Sequence, residues 1–316
     1  MGLFQNKKIQ SFIIFIIVLI PVLWIFQDNF VTSSFFNKSA SEVETYKAQN
    51  KESPYLEKID NFNITEYSNN QVLLHKIEAD AYISYKNSPT QLENLNITTF
   101  DEFKKEGFKL KSNRGVIFES GIIHLIGEVE IKSTSGISHE FIADQIVYID
   151  GQINSDKDIL YLGEEANIKA QGMDMNMDSE TINLNGKVEI IQDNGATLNS
   201  INLFISNGLG EKKYKSKGKT EYRSNENIVH ADNGVDINMN SNQTKLLGDV
   251  TVTNSFGTSL TSYNLMIDQS NGGEIFKSTS PTRFQSKTVD IKANTMHYDV
   301  IKKKLKLMDG VLATYE

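Results

Sequence analysis

A motif of the form Leu-x-Gly-x-Val returns along this chain at a nearly constant interval, and that recurrence constrains the fold more than any other feature. The copies read Leu125-Ile126-Gly127-Glu128-Val129, Leu184-Asn185-Gly186-Lys187-Val188 and Leu246-Leu247-Gly248-Asp249-Val250, with a worn fourth at Leu307-Met308-Asp309-Gly310-Val311. Their leading leucines, Leu125, Leu184, Leu246 and Leu307, are almost evenly spaced. A fixed period means one supersecondary unit used several times. Function is then expected on a continuous surface rather than in one catalytic cluster.

Around each copy, apolar and polar residues alternate. Leu125, Gly127, Val129 and Ile131 fall on one face, against Glu128, Glu130 and Lys132 on the other. The second copy sets Leu184, Gly186, Val188 and Ile190 against Asn185, Lys187 and Glu189; the third sets Leu246, Gly248, Val250 and Val252 against Asp249, Thr251 and Thr253. One dry face and one wet face predict strands of an antiparallel sheet half covered by a partner sheet, with the motif glycine on the dry side.

Nine residues after each motif glycine stands another glycine (Gly136, Gly195, Gly257), followed by a second patterned run. These runs hold Phe141, Ile146 and Tyr148, then Leu198, Leu203 and Ile205, then Leu260, Leu265 and Ile267, always with offsets of five and two. A step of five reverses strand parity, so each copy needs a bulge or corner between its first two apolar positions. Gly186–Ile205 and Gly248–Ile267 match at 8 of 20 positions without gaps. The segment Gly172–Asn176 likewise corresponds to Gly234–Asn238 in the next copy.

From Ile59 onward, short alternating runs are broken by Gly, Asn, Asp and Ser, an all-β texture. The expected architecture is an open stack of antiparallel hairpins wrapped as two facing sheets: an elongated, twisted β-jellyroll of roughly 60-residue repeats. Such a stack has unpaired edges at its ends, which a protein caps or uses to add a neighbour's strand. The last expected strand, Lys304 to Tyr315, carries Leu305 and Leu307 on one face, with Val311 a candidate third, behind Lys302-Lys303-Lys304.

Ahead of the repeats, the run from Ile9 to Phe26 is apolar, interrupted only by Gln10 and Ser11. A bilayer core takes roughly 17–25 residues, so the run is just long enough to span as a single transmembrane helix. Lys7 and Lys8 before it place the N-terminus in the cytoplasm and everything after Asp28 on the other side of the membrane. No Ala-x-Ala-like cleavage site stands near Thr32 to Ala40, which favours an uncleaved anchor over a signal peptide. Asn29 to Ser53 is polar and reads as a tether. The expected divisions are 1–28 for the tip and anchor, 29–58 for the tether, and 59–192 and 193–316 for two β-jellyroll segments.

Several chemistries are excluded or disfavoured. With Lys+Arg 32 against Asp+Glu 40 the net charge is −8, so no basic stripe exists to bind nucleic acid. Cys is absent, which removes disulfides and thiolate metal sites. The five His (His75, His124, His139, His230, His297) form no short-spaced pair. There is no phosphate-binding loop and no Gly-x-Ser-x-Gly elbow, so the chain is expected to be neither an enzyme nor a cofactor carrier. Met173, Met175 and Met177 could suggest a soft metal, but a Met row on a dry strand face is usually packing. Asp174, Asp178 and Glu180 lack a calcium-loop pattern and read as a solvated face.

What remains is the dry face. Its candidate lipid-binding residues are Phe118, Leu125, Val129, Ile131, Phe141, Ile146, Tyr148, Leu184, Val188, Leu203, Val250 and Leu265. Two readings of them stand side by side: a closed core, or a groove running along the repeats in which acyl chains pack.

The order of features resembles a known family. An anchor and tether lead to Asn61-Phe62-Asn63-Ile64 and Leu73 to Ala81, then Ser112-Asn113-Arg114-Gly115, the first motif, Tyr148 to Asp156, Ala170-Gln171-Gly172-Met173 and the second motif. This looks like LptC, the membrane-anchored periplasmic component of lipopolysaccharide transport, over residues 1 to about 192. The remaining chain is similar to the OstA/LptA-type repeat, at His230-Ala231-Asp232, Gly257 to Asp268 and Ala293 to Asp299. The resemblance implies a bridge that accepts lipopolysaccharide from an inner-membrane ABC transporter (LptB/LptF/LptG-like subunits) and passes it toward an LptA-like or outer-membrane acceptor joined through edge-strand addition. An anchored β-scaffold that binds envelope proteins through its edges is the alternative of a different class.

Overall fold

The computed structural model describes residues 55–315 except 69–70, 101–104, 135–139, 164–165, 207–211 and 225–226. The expected membrane anchor and tether lie outside the described residues, among which no helix is long and apolar enough to cross a membrane. The chain divides into two units, Met1–Glu57 with Ser84–Pro89, and Lys58–Ile83 with Thr90–Glu316. All regular structure among the described residues is strand, as the alternation predicts.

Strands β1 (Tyr55–Tyr67), β2 (Leu73–Tyr85), β3 (Thr90–Phe100), β4 (Glu106–Ile117), β5 (Ile123–Ser133) and β6 (Glu140–Ile149) pair in sequence order. After β6 the sheet splits. The second half of β6 pairs with β7 (Gln152–Ser155) and its first half with β8 (Ile159–Leu162). From there β8 passes to β9 (Ala166–Ala170) and β7 to β10 (Gly172–Asn176), and both converge on β11 (Thr181–Gln192). β12 (Thr197–Ser206) then pairs along the length of β11.

The scheme repeats with β13 (Lys213–Ser216), β14 (Thr220–Ser224), β15 (Asn227–Ala231) and β16 (Val235–Asn238) leading to the long pair β17 (Gln243–Asn254) and β18 (Ser259–Asp268). It repeats again with β19 (Ile275–Ser278), β20 (Thr282–Gln285), β21 (Val289–Ala293) and β22 (Thr295–Asp299). There the closing strand is itself broken, into β23 (Lys304–Met308) and β24 (Leu312–Tyr315).

The result is two antiparallel half-ladders that share their long strands. One runs through β7, β10, β13, β16, β19 and β22, the other through β8, β9, β14, β15, β20 and β21. Side chains from both meet in one hydrophobic cluster that extends from Ala79 to Val300. This is an all-β arrangement consistent with a jellyroll. The expected division at 192/193 falls where β11 ends and the turn to β12 begins, and the ladders and core continue across it.

The corner between half-ladders lies at the repeated motif, and here the simple alternation expected for the motif strand needs correction. Register slips between Ile126 and Val129, between Leu184 and Lys187, and between Leu246 and Asp249. Gly127, Gly186, Gly248 and Gly310 have φ of 78°, 73°, 84° and 68°. The motif glycine is therefore a left-handed bulge residue rather than an ordinary inward strand position. The flanking leucine and valine of the first three copies stay buried, as expected. On the partner strand the five-residue step sits opposite the slip. In two copies Asn202 and Asn264 adopt φ of 54° and 60° there, and their Oδ1 atoms accept from the Gly186 and Gly248 N–H at 2.8 Å.

Candidate functional site

Cross-strand register turns the repeats into two continuous rungs of side chains. In one half-ladder, Ile77, Ile97, Leu110, Ile131, Phe141 and Tyr161 are successive partners. The row continues through Ile168, Ile190, Leu198, Tyr222, Val229 and Val252, and then Leu260, Phe284, Ile291 and Ala313. In the other, Tyr148 is followed by Ile153, Met175, Ile182, Ile205 and Tyr214. That row goes on through Ile237, Thr244, Ile267, Phe276, Tyr298 and Leu305. Residues directly opposite on one face of a sheet touch, so each rung is an unbroken strip.

The structure brings eleven of the twelve candidate residues onto or beside these rungs. Ile131, Phe141 and Tyr148 lie on them. Nearer the corner, Leu125 pairs with Ile146, Leu184 with Leu203, and Leu265 with Leu246. Val129, Val188 and Val250 face Ala143, Ser200 and Ser262. Phe118 stands apart, in the turn joining β4 to β5, with its ring edge-on to His124 at 5.1 Å. All twelve are between 0 and 7 % exposed, so as folded the interior is packed along the motif copies. Met173, Met175 and Met177 are buried in the same cluster. Asp174 accepts from Asn154 and Asn185 on the outer face, and no cluster of His, Asp and Glu able to hold a metal is present among the described residues.

The interior opens at the C-terminal repeat. A cavity of about 640 Å³ lies between the half-ladders there, walled by Val252, Leu260, Phe276, Phe284, Met296 and Tyr298. Asn227, Asn254 and Lys303 also line it. An apolar cavity with a few polar groups is the ordinary form of a site for an apolar ligand. Leu260 belongs to a patterned run that follows the motif, whereas Phe276, Phe284 and Tyr298 lie on the short strands β19, β20 and β22, outside those runs. Their signal was available in the period, since Tyr161, Tyr222 and Phe284 recur at the interval of the repeat.

Polar groups are also built into the interior. At each corner the long strand passes from one short partner strand to the next, and a carbonyl in the gap between the two pairings needs a donor. Ser155, Ser216 and Ser278 supply it, donating to the carbonyls of Gln145, Ile201 and Asn264 at 2.7, 3.0 and 3.1 Å. Ser200 and Thr220 join Ser216 in a buried hydroxyl cluster, and Ser262 and Thr282 join Ser278 in the same way.

Two larger polar contacts cross from one half-ladder to the other. Tyr148 Oη lies 2.8 Å from His75 Nε2, while His75 Nδ1 faces Glu66 at 3.4 Å. The carboxylate only accepts, which puts the ring proton on Nδ1 and leaves Nε2 to accept from the phenol. Burial pushes the Tyr148 phenol up to about 12, which keeps it a donor. Tyr222 Oη donates to Glu274 Oε1 at 2.5 Å, Ser224 to Glu274 Oε2 at 2.9 Å, and Gln269 to Tyr222 at 3.1 Å. Burial, followed by the Glu274 charge, raises the Tyr222 phenol far above its usual range.

No curated protein matches the chain in sequence. The family described as lipopolysaccharide-assembly, LptC-related, matches residues 13–193, more than half of the chain, including its first two motif copies and the expected anchor from residue 13 onward. Proteins of that family are envelope components of lipopolysaccharide transport rather than a known enzyme family, and the chain belongs to the LptC family.

Proposed function

We propose that this protein carries the acyl chains of lipopolysaccharide in the interior between its two half-ladders, receiving them from an inner-membrane ABC transporter and passing them toward the outer membrane. The observation that carries the reading is the pair of rungs that run without interruption from Tyr148 to Leu305 and from Ile77 to Ala313. Each buried methylene is worth about 0.8 kcal/mol, so a multi-acyl lipid does not cross water unshielded. A rung of similar apolar sites lets it move with little net change in energy, and the drive comes from the partner ATPase. In this reading Ile9–Phe26 is the inner-membrane anchor, and residues 193–316 are a built-in, LptA-like length of the bridge.

Photocrosslinking to lipopolysaccharide tests the reading. Phe141→Asp and Val188→Arg, in variants shown to be folded by circular dichroism, are expected to lose the crosslink. Retention of the crosslink in folded variants would sink the interior as the lipid path. It would also favour the second reading, an anchored scaffold, which the exposed apolar residues of the end strands (Leu56 and Ile64 on β1, Leu312 and Tyr315 on β24) support.

A further inference from the structure

Opposite the corners, the two half-ladders have no shared strand, and side chains reach across from one to the other. His75 lies on β2 beside Thr99, whose hydroxyl accepts from the Phe108 N–H, and Phe108 pairs with Ser133 at the far end of β5. Tyr148 lies near the opposite end of β6, on the side that pairs with β7. Tyr222 is on β14, and Glu274 immediately precedes β19, at the end remote from the corner serine Ser278. Phe256 is in the turn joining β17 to β18, and Lys303 in the turn joining β22 to β23, with the ammonium 5.4 Å from the ring centre. Both residues border the 640 Å³ cavity.

We propose that these contacts are clasps on a lateral seam, which opens to admit the acyl part of an amphipathic lipid from the side. The inference rests on the lipid-carrying interior proposed above and concerns how that interior is reached. Three features favour a seam that opens. First, a closed core of this size has no need of a buried carboxylate, since an apolar pair of similar volume holds two sheets together without the cost of desolvating the charge. Second, the equivalent residue one repeat on from Tyr222 is Phe284, so the fold accepts the ring without the hydroxyl. Third, where the crossing contact is the weakest in kind, between Lys303 and Phe256, the half-ladders already stand apart around a cavity. A polar clasp suits a reversible seam because its groups exchange their partner for water on opening, whereas an apolar contact has no such substitute.

The test uses the full chain, which contains no Cys and so takes spin labels cleanly. Labels at Arg223→Cys and Asn271→Cys, both exposed and on opposite sides of the Tyr222–Glu274 clasp, report the seam distance by double electron–electron resonance. Tyr222→Phe is expected to widen or shift the distance distribution toward longer separations. It is also expected to speed uptake of a diazirine-tagged lipopolysaccharide by about two- to tenfold, the equilibrium shift of one lost hydrogen bond. His75→Leu, at the other clasp, should speed uptake in the same way. An unchanged distance distribution in Tyr222→Phe together with unchanged uptake in both variants would overturn the clasps. If the unmodified chain takes up no lipid although Tyr222→Phe widens the seam, the lipid-carrying interior fails and the clasp stands.

Discussion

The motif glycine meets two demands at once. Its left-handed φ turns the long strand from one half-ladder into the other, and its missing side chain leaves room for a polar residue of the neighbouring repeat unit. A Cβ on Gly186 would collide with the Gln171 side chain, and one on Gly248 with Asp232 and Asn233. Those neighbours are not idle: Gln171 Oε1 accepts from Lys187 N–H at 2.9 Å and Asp232 Oδ1 from Asp249 N–H at 2.8 Å. Gly257 has a similar φ of 75° but nothing within 4 Å. Gly257→Ala should therefore cost only the left-handed penalty, about 1–2 kcal/mol. Gly248→Ala should cost roughly 1–3 kcal/mol more, the usual penalty of forced overpacking. Urea unfolding of both variants decides this, and equal losses would refute the steric account. The recurrence of these glycines was plain in the sequence. Their role was not, because strict alternation places them inward and only register shows the bulge.

At the scale of the element, each corner is a small polar device inside an apolar wall. In the third repeat Ser262, Ser278 and Thr282 satisfy one another and the Asn264 carbonyl. In the first, the positions paired in the same way are Ala143 and Ile159, with Ser155 alone capping the carbonyl of Gln145. Two solutions to one corner predict non-additivity. Ser262→Ala alone removes a partner from two buried hydroxyls and should cost about 1–3 kcal/mol. The pair Ser262→Ala/Thr282→Ile recreates the first repeat's solution and should lose less than the two single variants combined, by roughly 0.5 kcal/mol or more. A strictly additive cycle, measured by chemical denaturation, would show that the hydroxyls do not act as a unit. The five-residue step in the sequence announced a corner in each copy. It did not announce the serines, which lie on the following short strands at Ser155, Ser216 and Ser278.

For the whole molecule, the ends matter as much as the interior. Leu305 and Leu307 pack on the core as expected of the last strand, whereas Val311, Leu312 and Tyr315 are 52 %, 64 % and 74 % exposed. Gly310 keeps its left-handed φ beside Asn294, so the worn fourth copy still makes its corner. Among the described residues β24 pairs only with β21. An edge with an apolar surface and free backbone groups is a template for a neighbour's strand. Deleting Leu305–Glu316 should abolish crosslinking of the C-terminal repeat to an envelope partner and the protein's ability to support growth. Leu312→Lys/Tyr315→Lys, which leaves the β21–β24 pairing in place, should weaken the same crosslink. If partner capture and viability survive both changes, strand addition at this end is wrong.

The sequence by itself determined what is periodic: an all-β chain, a long and regular repeat, a corner in every copy and the inward residues that flank it. Each of these follows from the alternation of a strand and its interruptions, which are local properties. Only the tertiary structure decided which inward residues line up across strands, where the interior is packed and where it opens, and which groups face each other across the seam. His75 and Tyr148 are 73 positions apart and Tyr222 and Glu274 are 52 apart. The alternation within a strand does not bring such pairs together. They meet because the long strands bend at the motif glycine, and the bend carries the two half-ladders to face each other.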